Sequence, residues 1–356
     1  MAASSALRGV RVYRDGRFGD PEDVVIDGAV IGESSESALD GITDSETGGY
    51  LIPGLIDSHV HIESLETLET FARNGVTTVL DMANPMSKLD ALRGTSGVAD
   101  FRAAGIASTS PTSAHARMMR AGPIALVASP ADAEPWVAAR VAEGADYIKV
   151  VIDLPGFDLE TVSALVAAAH AHGRKVVAHA ARWEAVAMAQ GAGVDILTHA
   201  PIDRPVDDAQ AASMAAAGTV IVPTLIMMEG MVGGLTRAGV PGLTYEPAPT
   251  SVARLHAAGM PVLAGTDANA APGPLASPAF GESLHRELEL LVAAGLSPVE
   301  ALEAATTLPA RYFELADRGH VLPGLRADLV LLDENPLESI SATRSIRGVW
   351  VAGHRV

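Results

Sequence analysis

From Gly54 onward, short β-branched runs alternate with Ala-rich stretches of helical period, and no other feature constrains the fold as tightly. Eight runs stand out: Leu55–Ile62, Val76–Met82, Gly105–Ser110, Tyr147–Ile152, Val176–Ala180, Ile196–Ala200, Thr219–Leu225 and Val262–Asp267. Helical stretches at Leu159–His172, Arg182–Gln190, Val206–Ala217 and Ser251–Ala258 separate the later ones. Gly75, Gly105, Gly173, Gly218 and Gly259 precede runs, as expected of a helix-ending glycine that leads into a turn. Eight βα units predict an α/β fold, a (β/α)8 TIM barrel that closes near residue 315 after a further helix over Pro298–Phe313.

The two chain ends read differently from this middle. Leu7–Tyr13, Val24–Ile26 and Val30–Ile31 before the barrel, and Asp328–Asp333 and Gly348–Ala352 after it, are short strands broken by Gly and Asp. Residues 1–53 and 319–356 are therefore expected to form one small β-sandwich domain beside a barrel over 54–318. The total of 356 residues would on its own also allow two or three domains.

Composition narrows the chemistry. With 25 basic against 43 acidic residues the formal charge is −18, which argues against nucleic acid as a partner, because phosphate binding needs a basic face. Met1–Asp15 has no apolar signal core, and the longest apolar run, Thr219–Met228, is about half of the roughly 20 residues a membrane helix needs. A soluble, cytoplasmic protein with no membrane partner is the expectation; a homo-oligomer is left open. Cysteine is absent, which removes disulfides, thiolate metal sites and a cysteine nucleophile together. Any metal must then be held by His, carboxylate or a modified Lys.

Barrel chemistry sits at the C-terminal ends of the strands, so the polar residues ending each run are the candidates. They are Asp57-Ser-His59-Val-His61 on strand one, Lys149 on strand four, His179 on five, His199 on six and Asp267 on eight. His59 and His61 lie two apart on a strand and so share one face, inward. They read as metal ligands. His170 and His172 have the same spacing but end a helix, where it divides the two side chains, and they read as solvated. His179 and His199 join the ligand set through their matching strand-end positions. Asp267 reads as ligand and base, since an unpaired buried carboxylate is costly. Lys149 carries two readings: a carbamate bridging two metals, or a plain ammonium paired with Asp153 or a substrate carboxylate. Further candidates for substrate contact are Tyr147, inward-facing and set either to donate to an oxyanion or to pack; His115 and Arg117 in the loop after strand three; Trp183 as an aromatic wall; and His285 on the helix after strand eight. Met118, Met119, Met227 and Met228 flank the rim as apolar lining or core filler.

The stretch Leu51-Ile-Pro-Gly-Leu-Ile-Asp-Ser-His-Val-His61, followed in order by Lys149, His179, His199 and Gly265-Thr-Asp267, resembles the amidohydrolase superfamily. The closing Leu322-Pro-Gly-Leu-Arg-Ala-Asp-Leu-Val-Leu-Leu-Asp333, with Asn335-Pro336, and the helix His285–Gly295 are similar to segments of that superfamily too. The resemblance spans essentially the whole chain. It is closest to the imidazolonepropionase-like group, which includes prolidase-type metal-dependent dipeptidases and hydrolases of aryl amides such as ochratoxin. It implies one divalent ion on His59, His61 and Asp267. A second falls on His179 and His199, with Lys149 as a bridging N6-carboxylysine. Zinc is the default metal. It further implies a metal-bridging hydroxide that attacks a carbonyl, with Asp267 as general base and then acid. The expected reaction is cleavage of a C–N bond in an amide, dipeptide-like or cyclic amide small molecule. The alternatives are an esterase or lactonase on the same site and, with less support, a non-catalytic scaffold.

Overall fold

A computed structural model describes residues 4–35, 39, 42, 45–118, 120–239, 243–271 and 276–356. Met119 lies outside the described residues. Among those described, no helix is long and apolar enough to cross a membrane.

Barrel strands one and two are Leu55–Val60 and Val76–Asp81, and strands four to seven are Ile148–Val151, Val176–His179, Ile196–Thr198 and Val220–Val222. All pair in parallel with their neighbours. Helices Leu159–Ala171, Trp183–Ala192, Asp208–Ala216 and Pro247–Ala257 lie close to the bounds the sequence indicates. Gly75, Gly173, Gly218 and Gly259 all have positive φ, as helix-ending glycines should.

Three expectations need correcting. Strand three starts earlier than Gly105 and is broken in two. Asp100–Ala103 pairs with strand two, and Ser108–Thr109 pairs with strand four. Gly105 sits in the break rather than at a helix end. The Asp146 carboxylate takes the Ala103 N–H there at 2.8 Å, so a side chain replaces a ladder partner. Strand eight forms no continuous ladder. Its residues still bond both neighbours, Leu263 N to Ile221 O at 2.8 Å and Asp267 N to His59 O at 2.8 Å, which closes the barrel. The ladder fails because two of its donors are diverted, Ala264 N to Ala304 O and Thr266 N to the Asp57 carboxylate. The single helix expected over Pro298–Phe313 is two, Pro298–Ala304 and Thr307–Tyr312. Pro309 lacks the N–H that would bond Ala305 O, and that carbonyl instead takes Ile56 N from strand one at 2.7 Å.

Both chain ends share one hydrogen-bonded sheet. Its order is His354–Arg355, Ile346–Val351, Leu329–Leu332, Tyr50–Pro53, Ser5–Arg14, Arg17–Asp27 and Val30–Ile31, with Ser45–Thr47 also on Ser5–Arg14. It encloses a core of its own around Leu7, Val12, Ile26, Leu51, Leu331 and Trp350. Gly54 carries the chain from this sheet into the barrel. A Cβ there would stand 2.1 Å from Thr77 Oγ1, so only glycine fits the crossing. Buried Arg318 pins the sheet to the barrel floor through Thr78 Oγ1 at 2.8 Å, Asp100 at 2.8 Å and Asp328 at 3.7 Å. Ile56, Leu80, Tyr147, Val177, Ile196, Val220 and Leu263 fill the barrel interior beneath the strand ends. Polar side chains gather above that plug.

Candidate metal centre

Strand one runs buried throughout with Ile56 in the barrel interior, and beyond a register shift between Asp57 and Val60 the side chains of His59 and His61 share one side. His59 Nε2 lies 3.4 Å and His61 Nε2 3.0 Å from the same oxygen, Asp267 Oδ1. The His199 ring stands 5.0 Å from His59 and 4.5 Å from His179, both centroid to centroid. Four imidazoles and one carboxylate therefore converge from strands one, five, six and eight.

The backbone is bent to achieve this. His199 has φ 75°, Thr224 47° and Asp267 57°, left-handed conformations that non-glycine residues adopt at a cost of about 1–3 kcal/mol each. Supporting bonds hold them. Thr224 Oγ1 meets His199 Nδ1 at 2.7 Å. Asp57 accepts Thr266 N at 3.0 Å and Thr266 Oγ1 at 2.7 Å, which locks strand eight beside strand one. Gly265 permits the approach, because a Cβ there would lie 2.4 Å from Val222 and 3.0 Å from His59 N.

Electrostatics suit a cation. Burial, then the Lys149 charge, depresses the His59 and His199 imidazoles well below their ordinary range, and burial followed by the His199 charge does the same to His179. Neutral imidazoles keep a lone pair for a metal. His61 moves the other way: burial lowers it, and the Asp267 hydrogen bond and charge outweigh that. His59 Nδ1 is buried with no hydrogen-bond partner. Nitrogen and oxygen donors of this kind fit zinc or a neighbouring divalent transition ion, and His59, His61 and Asp267 offer donor atoms within 4.8 Å of one another.

Lys149 is buried, but it does not pair with Asp153. Its Nζ donates to Thr198 Oγ1 at 2.8 Å, and burial brings its pKa down to about 7. Asp153 instead receives both the backbone N–H and Nδ1 of His115, each at 2.8 Å. That bond leaves His115 partly exposed and sets its ring 4.5 Å from His179. His115, Asp153 and His179 form a second group with donor atoms within 4.8 Å of one another.

Several candidate substrate contacts fall away. Tyr147 faces inward, but two residues before Lys149 puts it about 7 Å deeper. There its hydroxyl donates to Asp81 O at 2.8 Å and its ring packs on Phe313. His285 is buried between Thr343 Oγ1 at 3.0 Å and Asn74 O at 3.1 Å, away from the rim. Exposed Arg117 turns back to Thr112 O at 2.7 Å. Trp183 is at the rim and half-buried, with the Arg204 guanidinium stacked 3.6 Å from its ring centre. Met118 is exposed, while Met227 and Met228 are buried.

Two carboxylates escape the sequence reading, Asp81 and Glu287, and two receive no role of their own in it: Asp57, quoted only within the strand-one motif, and Asp153, offered only as a partner of Lys149. Asp57 shares the parity of His59 and His61, and Asp81 and Asp153 stand at strand ends like Asp267, so each carried a signal. Glu287 carried none. It reaches from the helix Glu282–Ala293 to accept Leu225 N at 2.9 Å and Ile226 N at 2.8 Å, at the start of the helix after strand seven.

Comparison with known proteins agrees with this geometry. An imidazolonepropionase of Deinococcus deserti is 32% identical over 231 residues, covering 63% of this chain and 52% of that protein. The chain thus spans about half the length of that curated relative. A Xaa-Pro dipeptidase with bound methionine in its active site superposes with TM-score 0.82 at 21% identity, over 99% of this chain and 100% of that one. A. niger ochratoxinase superposes with TM-score 0.82 at 21% identity, over 99% and 95%. These two likenesses carry the fold. Residues 50–356 match the model of the amidohydrolase family, and the chain belongs to that family.

Proposed function

We propose that this chain is a metal-dependent hydrolase that cleaves the C–N bond of a small amide, dipeptide-like or cyclic amide substrate. The observation that carries the reading is the convergence of His59 Nε2 and His61 Nε2 on Asp267 Oδ1 at the catalytic end of a barrel, with the His179 and His199 rings alongside. The relatives support an amide: one structural neighbour is a dipeptidase by name.

In this reading His59, His61 and Asp267 hold one divalent ion, zinc by donor type, and His179 with His199 hold a second. Lys149, at about 7, keeps an unprotonated fraction at neutral pH, which is the form that adds CO2. The resulting N6-carboxylysine would give the second ion a carboxylate. When bound, the ions supply Lewis acidity that sharpens a water and polarises a carbonyl. The chain's own part is positional and protic. Asp267 Oδ1 takes a proton from the attacking water and returns it to the departing nitrogen, base first and acid second. Thr224 fixes the His199 ring, and Asp57 fixes the turn that aims Asp267. The hydrophobic plug beneath excludes bulk water from the floor of the site.

Metal-loaded protein should turn over members of an aryl-amide panel and lose that turnover to a chelator. Turnover of aryl esters with none of amides would overturn the assignment in favour of an esterase or lactonase.

A further inference from the structure

We propose that His115, Asp153 and His179 form a separate, outer divalent-cation position at the mouth of the barrel. The three side chains come from different elements: the rim helix Ala114–Met118, the turn after strand four and the end of strand five. One donor atom from each lies within 4.8 Å of the others. The His115 and His179 rings meet edge to face, 4.5 Å apart.

An anchoring role for the rim helix does not account for this. Asp153 Oδ2 accepting the His115 backbone N–H at 2.8 Å already ties the helix down. The additional bond to Nδ1 orients the ring, and orients it toward His179. Among the described residues His179 makes no hydrogen bond through either ring nitrogen, so its lone pair has no structural employment. Two imidazoles and one carboxylate make an N2O donor set suited to Zn2+, Co2+ or Mn2+, with coordination left open for water or a ligand. Side-chain exposures of 25% for His115 and 14% for Asp153 leave an entry path from solvent.

The outer position shares His179 with the inner one proposed for the second ion. One imidazole nitrogen serves one ion, so the two positions compete. The outer one requires no CO2 adduct at Lys149, and an ion in CO2-poor solution belongs there.

The test is a count. Metal-free protein and its variants are dialysed against Co2+ in bicarbonate-depleted buffer, and bound cobalt is measured by elemental analysis and by its visible absorption. Asp153→Asn and His115→Gln should each bind one equivalent less than the unaltered chain, whereas Lys149→Met should bind as many. Asp153→Asn keeps an oxygen that can accept the His115 backbone N–H, and His115→Gln keeps that N–H, so the tie on the rim helix survives in both. Unchanged circular dichroism and melting temperature then separate a lost ligand from a local folding defect. Equal counts in the unaltered chain and both outer variants would overturn the proposal. So would loss of that equivalent in Lys149→Met alone. The difference is read whether or not the chain hydrolyses an amide, so failure here and failure of the hydrolase reading are distinguishable.

Discussion

The chain writes His-x-His twice, and the two copies do opposite things. On strand one, His59 and His61 turn to the same side and meet at a single carboxylate oxygen. At the end of the helix Leu159–Ala171, His170 and His172 send their Nε2 atoms to different carboxylates, Asp195 at 2.9 Å and Glu134 at 2.9 Å. Two residues advance a strand by one full side-chain period but rotate a helix by about 200°. The motif has no chemistry until its element is known. The helical pair is not merely solvated either, since each ring is tied to a neighbouring element.

The sharpest way to break this comparison is to remove the point where the strand pair converges. Asp267→Asn should lower kcat by about 10³-fold or more, because it takes away the proton acceptor and one metal ligand together. Elemental analysis should show one bound ion lost while circular dichroism is unchanged. Retained activity with full metal content would mean that the convergence of His59 and His61 is structural only. Next in size is Lys149→Ala, with an expected loss of about 10²-fold if it carries a carboxylate on the second ion. Formate or acetate should restore part of that rate. A lysine serving only as donor to Thr198 would show no such rescue.

Legibility in the sequence follows the same logic of period and element. Strands four and five place Lys149 and His179 where alternation says they should, two residues beyond the interior Tyr147 and Val177. Strand one reaches its ligands across a register shift between Asp57 and Val60, and strand six through a left-handed residue at His199. The misses occur where backbone groups abandon their own ladder. Strand three breaks where Asp146 takes a backbone donor, strand eight loses donors to Ala304 and Asp57, and the last helix breaks where Pro309 leaves Ala305 O to Ile56. The first two are tertiary substitutions for a ladder bond that no local pattern encodes, whereas Pro309 is itself a local signal for a break inside 298–313 and only the partner of the freed carbonyl is tertiary. The pairing of Asp153 with His115 instead of Lys149 is of the same kind. It depends on a rim helix whose placement is set by residues distant in the chain.

A smaller effect separates His285 from the metal histidines. It too is buried and neutral, but its partners are Thr343 and Asn74, and burial carries it down to about 4. The unfolded chain binds a proton there at an ordinary value near 6.5, so between these limits the unfolded state holds more protons than the native one. Its contribution is complete above about pH 6.5 and is lost as the pH falls toward 4. Denaturant unfolding of the unaltered chain and of His285→Gln should give stabilities whose difference narrows across that window. Metal content should be equal in the two. A difference independent of pH would show that His285 is not held neutral, and a lower metal count would return it to the site.

The smallest expected change is the most direct test of the comparison. His170→Ala and His172→Ala each remove one half-exposed pair, a contact worth about 0–1 kcal/mol, and near the end of a helix each also gives up a little favourable dipole interaction. Neither ring faces the barrel axis, and the two point to partners 61 positions apart in the chain, Asp195 and Glu134. The double variant should therefore melt within a few degrees of the unaltered chain, bind the same number of ions and keep its kcat. Histidine content alone would predict some loss of metal, since two of 11 histidines are gone. Unchanged metal content in the face of that deletion, set beside the loss in Asp267→Asn, would show that strand parity rather than the His-x-His spacing makes the ligand.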